Sequence, residues 1–590
     1  MAIVAVSLIA PGARAGGPLL VRNGEATRWA RNAVVNPANS NLKTVDSEGR
    51  VLYRVDSGSL GTLSNDKATR LVDRIFKLYT DIPTATIEFV NAGRIVDPNT
   101  GNAVDVNQSN FGRFASSRTP TYENPIIFDS TGSITGDPRT LGFFGFLQVD
   151  QDSNTLREGV VVLNGASIAE IGEIPFLGVF THEFGHFAGP LDHSQINGNI
   201  AGGGRGSIPP SSFSRTQTFD LFTPFTETLF PFIFEGSAER TPGSTLRGQG
   251  FDSSGFFVAS LDLDTQNALS NLYPTDDYRT SRGAIEGRVS LKAGSSDIPI
   301  SGINIIARRI SRGVYPPALG TQAFFNSQVT LDSDGVPNSP PDQDATDPLA
   351  TAVSAVTGLE LGAGRYRVTG LPPGDYLVEL QQINPSAVSG SAIGPLRNGQ
   401  VSLPITAEYY NGPGVSSNTV SSFTPVSVSA GGILSGIDFT INGFSTTLAA
   451  LAEKEEHFKL KKAQEVDFPV EITGRATGAD QSQFKMALPD GSTDKIEDFY
   501  KFTVTSESIF FIILEPVGGA TGDLDMYLFD RSTVAKKKSS LDDPALEAYS
   551  AGPTADEIIG VRLVPGTYVI GVSAFEDSAL SYRLKIISSQ

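Results

Sequence analysis

Between Ser64 and Thr80 the apolar residues recur at Ala68, Leu71, Val72, Ile75, Phe76 and Tyr79, the three-and-four spacing of one helix face, behind Ser64 or Asn65 as a cap. This spacing predicts an amphipathic helix. Immediately downstream, TATIEFV puts Ala85, Ile87 and Phe89 on alternate positions, and Pro125 to Phe128 and Gly159 to Leu163 are short apolar runs, so strands are expected at all three. A second helix is expected from about Pro175, a favourable first-turn residue, to Ala188, with Gly189 taking a left-handed conformation as its stop. A third is expected behind Asp264 as cap, with Ala268, Leu269 and Leu272 ahead of Pro274. Helices alternating with strands predict an α/β core that closes near residue 277.

Beyond Arg282 the pattern changes to short alternating segments, GAIEGRV, GINIIARR and GRYRVTGLPPGDYLVEL, with glycine and proline at the turns, which predicts a β-sandwich. A long Asp-, Pro- and Ser-rich insertion, roughly 311–362, reads as a loop within it. The charged stretch LAEKEEHFKLKKAQEVDF then leads to a last β unit starting near Val470 with DFYKFTV, IFFIILEPV, DLDMYLFD and VPGTYVIGV. The turns PPGDY and VPGTY are expected to be the same hairpin device in both sandwiches, and no fixed-period repeat is present. The expected organisation is therefore multidomain: a candidate signal peptide at 1–16, an α/β domain at 17–277, a sandwich at 278–445, a charged linker at 446–469 and a second sandwich at 470–590.

Composition supports this division. The 590 residues amount to three or four folding units, and 39% hydrophobic against 18% charged residues is a globular balance. A formal charge of −19 argues against a nucleic-acid partner, which requires a basic surface. The absence of cysteine removes disulfides, thiolate metal sites and thiol nucleophiles. At the N-terminus an apolar run from Ala2 to Ala10 precedes Ala13-Arg14-Ala15, a small-residue cleavage pattern that reads as a secretory signal; an ordinary first strand is the alternative. No later stretch approaches the ~20 apolar residues of a membrane span.

The chemistry is concentrated in FLGVFTHEFGHFAGPLDHS, which holds His182, His186 and His193, three of the four histidines of the chain. At about 100° per residue, His182 and His186 lie about 40° apart on one helix face, so both rings can reach one ion, while Phe176, Phe180, Phe184 and Phe187 fall on another face that can anchor the helix. Imidazole suits Zn2+, whose catalytic sites use three protein ligands and leave a position for water; Glu183 is placed to act as general base. Two hydrogen-bonded core histidines are the alternative for such a pair. Asp332, Asp334, Asp342, Asp344 and Asp347 in the insertion could ligate structural Ca2+, although a solvated acidic loop fits their spacing better. Asp523 and Asp525 are expected on the exposed side of a strand, with Ca2+ binding as the secondary reading, and His457 in solvent.

These residues resemble the matrixin-like branch of the metzincin metallopeptidases, whose signature H-E-x-x-H-x-x-G-x-x-H is followed by serine, as His193 is here by Ser194. The resemblance extends over 17–277 and includes IIFDSTGSIT before the helix and LDLDTQNALSNLYP at the end of the domain. It implies an α/β zincin-like catalytic domain followed by two all-β sandwiches, in a secreted zinc endopeptidase acting on a protein or peptide substrate, with Glu183 as base and His182, His186 and His193 as ligands. Two positions depart from the family. One extra residue lies before His193, so that Asp192 stands at the expected ligand position and is the alternative third ligand. The methionine beneath the metal is also missing: Met1, Met486 and Met526 cannot serve, and ETLFPFI puts Leu229 in its place. The second unit is similar to the carboxypeptidase regulatory-like sandwich, and the third resembles the bacterial pre-peptidase C-terminal domain. Both imply accessory roles, with surface or polysaccharide contact. A non-catalytic adhesion or carbohydrate-binding protein with a degenerate peptidase domain is the competing function.

Overall fold

In a computed structural model, the described residues are 21–22, 25–137, 140–191, 229, 261–310, 352–357, 363–383, 403–419, 422–454, 459–476, 484–488, 493–519, 522–531, 538–541, 543–550, 557–575 and 579–589. They are mostly β-sheet with few helices, and several sheets stack as sandwiches. The chain divides into two compact units, one of residues 1–288, 301–399 and 409–438 and the other of 289–300, 400–408 and 439–590.

The first unit opens with an eight-stranded mixed sheet. Its strands are β1 (Arg28–Trp29), β2 (Val34–Asn36), β3 (Asn39–Val45), β4 (Val51–Val55), β5 (Phe89–Arg94), β6 (Pro125–Asp129), β7 (Gly142–Asp150) and β8 (Thr155–Asn164). The order is β1-β8-β6-β4-β3-β2, with β5 on β4 and β7 on β8. Strands β4, β6 and β8 run parallel, whereas β7 runs antiparallel to β8 and pairs with no other strand among the described residues. Alternate side chains divide between two layers: Ile126, Phe128, Leu156, Val161 and Leu163 enter the larger core, and Ile127, Val160 and Val162 enter a smaller one with Ile95, Val106 and Phe114.

Two helices pack on the larger core, α1 (Asn65–Thr80) and α2 (Glu173–Ala188). Ser64 caps α1 by accepting from the Lys67 amide, and all six residues of its expected apolar face are buried, joined by Leu78. Phe76 of α1 stacks on Phe184 of α2 with ring centroids 4.2 Å apart and planes 7° from parallel. At the other end, Lys67 forms an ion pair with Glu173 in the first turn of α2. The strand expected at Ala85 begins only at Phe89; Ala85 makes an isolated bridge to Pro274 instead.

Helix α3 (Leu263–Leu272) is buried on opposite sides. Ala268, Leu269 and Leu272 join the larger core, while Asp264 accepts from the Ser354 amide at 2.8 Å. Its cap is therefore Asp262, which accepts from Thr265 N at 2.7 Å, and not Asp264. The expected cap lies two residues late because both aspartates precede the apolar run, and only the hydrogen bond distinguishes them.

A sandwich follows, most of it in the same unit, which contains residues 283–288 of its first strand. Strand β9 (Gly283–Ala293) pairs with β12 (Arg365–Leu371), while β10 (Asn304–Ile310) lies between β11 (Val353–Val356) and β13 (Gly374–Gln381) in a second sheet. PPGDY is thus not a hairpin turn. It carries the chain from β12 in one sheet to β13 in the other, with the Tyr376 hydroxyl donating back to Pro372 O at 2.6 Å.

In the second unit two five-stranded sheets enclose a core of Ile472, Phe502, Phe510, Ile512, Met526, Leu528, Ile570 and Leu584, all at most 1% exposed. One contains β14 (Val470–Ala476), β16 (Ser508–Pro516), β18 (Glu557–Leu563) and β20 (Leu580–Ser588), and the other β15 (Asp498–Val504), β17 (Leu524–Asp530) and β19 (Gly566–Ala574). Part of the charged stretch enters these sheets, with Ala449–Ala452 on β14 and Gln464–Glu465 on β15. VPGTY again crosses between sheets, and the Tyr568 hydroxyl donates to Val564 O at 3.0 Å. Both turns share a corner in which a tyrosine bonds back to the carbonyl four residues upstream.

Asp525 lies on the buried side of β17, contrary to the expectation of an exposed one, and is 4% exposed. Its alternation with apolar residues misleads because the whole strand is covered. Burial first, and then the neighbouring Asp494 and Asp523 charges, hold its carboxyl well above the usual carboxylate range. Asp494 itself accepts from the Tyr527 hydroxyl at 2.8 Å. A carboxyl whose pKa is raised on folding retains a proton that the unfolded chain releases above about pH 4, so its stabilisation is lost as the pH rises. The melting temperature of the C-terminal sandwich should fall between about pH 5 and pH 8, and Asp525→Asn should flatten that slope. Identical slopes in calorimetry would count against this assignment.

Candidate active site

Helix α2 follows Gly172, whose φ of 88° turns the chain off the preceding loop. Phe176, Phe180, Phe184 and Phe187 are each at most 1% exposed, as their spacing predicts. One narrow face remains for polar residues, and His182, Glu183 and His186 occupy it. The Nε2 atoms of His182 and His186 are 3.1 Å apart, with the two rings nearly perpendicular at 85°. His186 Nδ1 is 2.6 Å from the Leu191 carbonyl oxygen. A carbonyl can only accept, so Nδ1 carries the hydrogen and Nε2 presents its lone pair.

The Leu191 carbonyl reaches His186 because the helix ends sharply. Gly189 is not left-handed, with φ of −131°; the positive φ, 22°, falls on Pro190. Position 189 is tight for space instead: a β-carbon there would stand 2.7 Å from both Leu191 Cδ2 and Leu269 Cδ1, so these leucines would have to shift to admit one.

Glu183 is 7% exposed, and burial raises its pKa to about 8 against the lowering effect of a hydrogen bond donated by the Phe144 amide of β7. The edge strand thus lies directly against the carboxyl: a β-carbon on Gly142 would come within 2.9 Å of Glu183 Cγ. Strand β7 was not apparent in the sequence, because LGFFGFLQVD has almost no apolar–polar alternation; eight of its nine strand residues are half-buried.

Residues distant in sequence brace the helix. Leu229 is fully buried beneath the turn between the histidines, where a β-carbon on Gly185 would be 2.6 Å from Leu229 Cδ2 and 2.9 Å from the Tyr79 hydroxyl. That hydroxyl donates to Thr181 O at 2.6 Å. Trp29, the single tryptophan, donates from its indole to Phe187 O at 2.8 Å, and its amide donates to the Tyr273 hydroxyl at 2.8 Å. None of Trp29, Tyr79 or Tyr273 carries a local pattern that distinguishes it from an ordinary core aromatic.

His193, Asp192 and Ser194 lie outside the described residues, as do the acidic insertion Asp332, Asp334, Asp342, Asp344 and Asp347 and the linker His457. Among the described residues no group of three or more histidine, aspartate or glutamate side chains is arranged to hold a metal. The donor chemistry of the pair nevertheless fits zinc: two imidazoles converge through Nε2, and the tautomer of one is set by a backbone carbonyl.

Residues 496–574 match the bacterial pre-peptidase C-terminal domain, a span that contains β15 to β19 and the segments DFYKFTV, DLDMYLFD and VPGTYVIGV. Such domains occur in secreted peptidases. No curated protein matches the chain. Among solved structures, the chain is similar to the pre-peptidase C-terminal domain of collagenase from Bacillus anthracis, at 18% identity over 21% of this chain and 93% of that one, with a TM-score of 0.16. It is also similar to the periplasmic g-type lysozyme inhibitor PliG of Aeromonas hydrophila, at 12% identity over 24% of this chain and 100% of that one, TM-score 0.14. A third is the major pilin SpaD of Corynebacterium diphtheriae, at 11% identity over 53% and 57%, TM-score 0.14. These low scores carry no statement about activity. No helix among the described residues is long and apolar enough to cross a membrane.

The packing at Gly185 reverses the usual effect of a helix substitution. Replacing a mid-helix glycine by alanine normally gains about 1 kcal/mol, but here the methyl group would press on Leu229 and Tyr79. Gly185→Ala should therefore destabilise the first unit by about 1–3 kcal/mol. Denaturant titration showing a stabilised variant would contradict the packing described.

Proposed function

We propose that the chain is a secreted zinc-dependent endopeptidase that hydrolyses peptide bonds with Glu183 as general base. The observation that carries this reading is the pair of imidazole Nε2 atoms 3.1 Å apart on one helical turn, with a buried carboxyl between them in sequence. His182 and His186 would hold the ion, with His193 or Asp192 as the third ligand. A divalent ion there would supply Lewis acidity toward the scissile carbonyl and toward water.

The chain's own part follows from its geometry. An extended peptide can lie along the edge of β7 that has no strand partner among the described residues, in reach of backbone hydrogen bonds, with its carbonyl beside Glu183. Glu183 takes the proton of the attacking water and delivers it to the leaving amine; the Phe144 amide orients the carboxyl for both transfers. The buried environment keeps competing solvent away and favours proton uptake by the carboxyl. Secretion agrees with the pre-peptidase C-terminal domain, which is typical of secreted proteins. In this reading the sandwiches are accessory modules for surface or polysaccharide contact.

Glu183→Gln should lower peptide hydrolysis by at least about a hundredfold while leaving the zinc content unchanged. A chelator should abolish wild-type activity, and added zinc should restore it. Hydrolysis that persists undiminished in the variant would overturn the mechanism. A wild-type protein that binds zinc but cleaves no peptide would favour the adhesion reading instead.

A further inference from the structure

We infer that Tyr79 is a positioning residue for the metal-holding turn, acting through its hydroxyl on the backbone of α2. The inference rests on reading His182 and His186 as metal ligands. The Tyr79 ring is fully buried, and its hydroxyl lies 2.6 Å from Thr181 O. By helix geometry the same carbonyl receives the Gly185 amide, so two donors fix the one turn that runs from just before His182 to just before His186.

Position 185 accommodates this contact. A β-carbon there would come within 2.9 Å of the hydroxyl, so the oxygen rests against bare backbone where any other side chain would displace it. The Thr181 hydroxyl donates one turn back to Leu177 O at 3.0 Å, directed away from its own carbonyl, which Tyr79 shares with the Gly185 amide. On the helical wheel, Gly185 lies about 60–100° and Thr181 about 100–140° from the two histidines, so the brace is beside the ligand face and does not block it.

Helix α1 would remain in place without this hydroxyl. The Phe76–Phe184 stack and the Lys67–Glu173 ion pair hold α1 to α2 independently. Tyr79→Phe keeps the ring and removes only the oxygen, so its effect should concentrate on the spacing of the two imidazoles. Their Nε2 separation of 3.1 Å must be maintained for both to share one ion.

The test compares the full-length wild type with Tyr79→Phe and with Tyr53→Phe. Tyr53 is a second buried tyrosine of the same core, whose hydroxyl donates to Asp73 at 2.8 Å, away from α2. Zinc affinity is read by chelator competition, and site geometry by the visible spectrum of the Co2+-loaded protein. Tyr79→Phe should bind zinc about five- to tenfold more weakly, with a shifted Co2+ spectrum, whereas Tyr53→Phe keeps the wild-type affinity and spectrum. Equal affinity and spectra in Tyr79→Phe and wild type would overturn this inference alone. A comparable loss in Tyr53→Phe would also overturn it, because general destabilisation would then account for the effect. A wild-type protein that binds neither ion would overturn the metal reading and this inference with it.

Discussion

The convergence of two imidazoles on one turn of α2 depends on how completely the rest of that helix is occupied. Four phenylalanines, the Leu229 side chain and the Tyr79 hydroxyl cover its other faces, so the polar residues have only one direction to take. Burial also raises the pKa of Glu183, because the same packing that anchors the helix removes water from the carboxyl. The stability of the core and the raised pKa of Glu183 therefore arise from the same contacts.

Long-range contacts determine the details of the site. Trp29 fastens the last turn of α2, Tyr79 the turn between its two histidines and Lys67 its first turn, and these residues come from a strand and a helix well upstream. The edge strand β7 completes the arrangement by presenting the Phe144 amide to Glu183. A helix carrying the same motif without these supports would hold its imidazoles in many rotamers, each with a cost in entropy on binding an ion.

Elements with strong periodicity were legible in the sequence. The apolar face of α1, the aromatic face of α2 and the strands of the pre-peptidase C-terminal domain all follow from local pattern, because their apolar residues recur at helical spacing or form short runs bounded by turn residues. Pattern fails where burial is two-sided or where a hydrogen bond decides. Strand β7 is half-buried along its length and lacks alternation; Asp525 lies in a fully covered strand; Asp262 is distinguished from Asp264 only by the bond to Thr265. The two tyrosine corners resemble hairpins in sequence because the turn residues are the same, and only the pairing of the flanking strands separates a hairpin from a crossing between sheets. The histidine pair was legible from its spacing alone, whereas the supports from Trp29 and Tyr79 were not, since contacts between distant residues leave no periodic trace.

Zinc X-ray absorption on the full-length protein loaded with one equivalent of metal bears most directly on whether the histidine pair holds an ion. The spectrum should contain imidazole scattering at about 2.0–2.1 Å that disappears in the His182→Ala/His186→Ala double variant. A spectrum of water oxygens alone, or one unchanged in the double variant, would contradict the assignment.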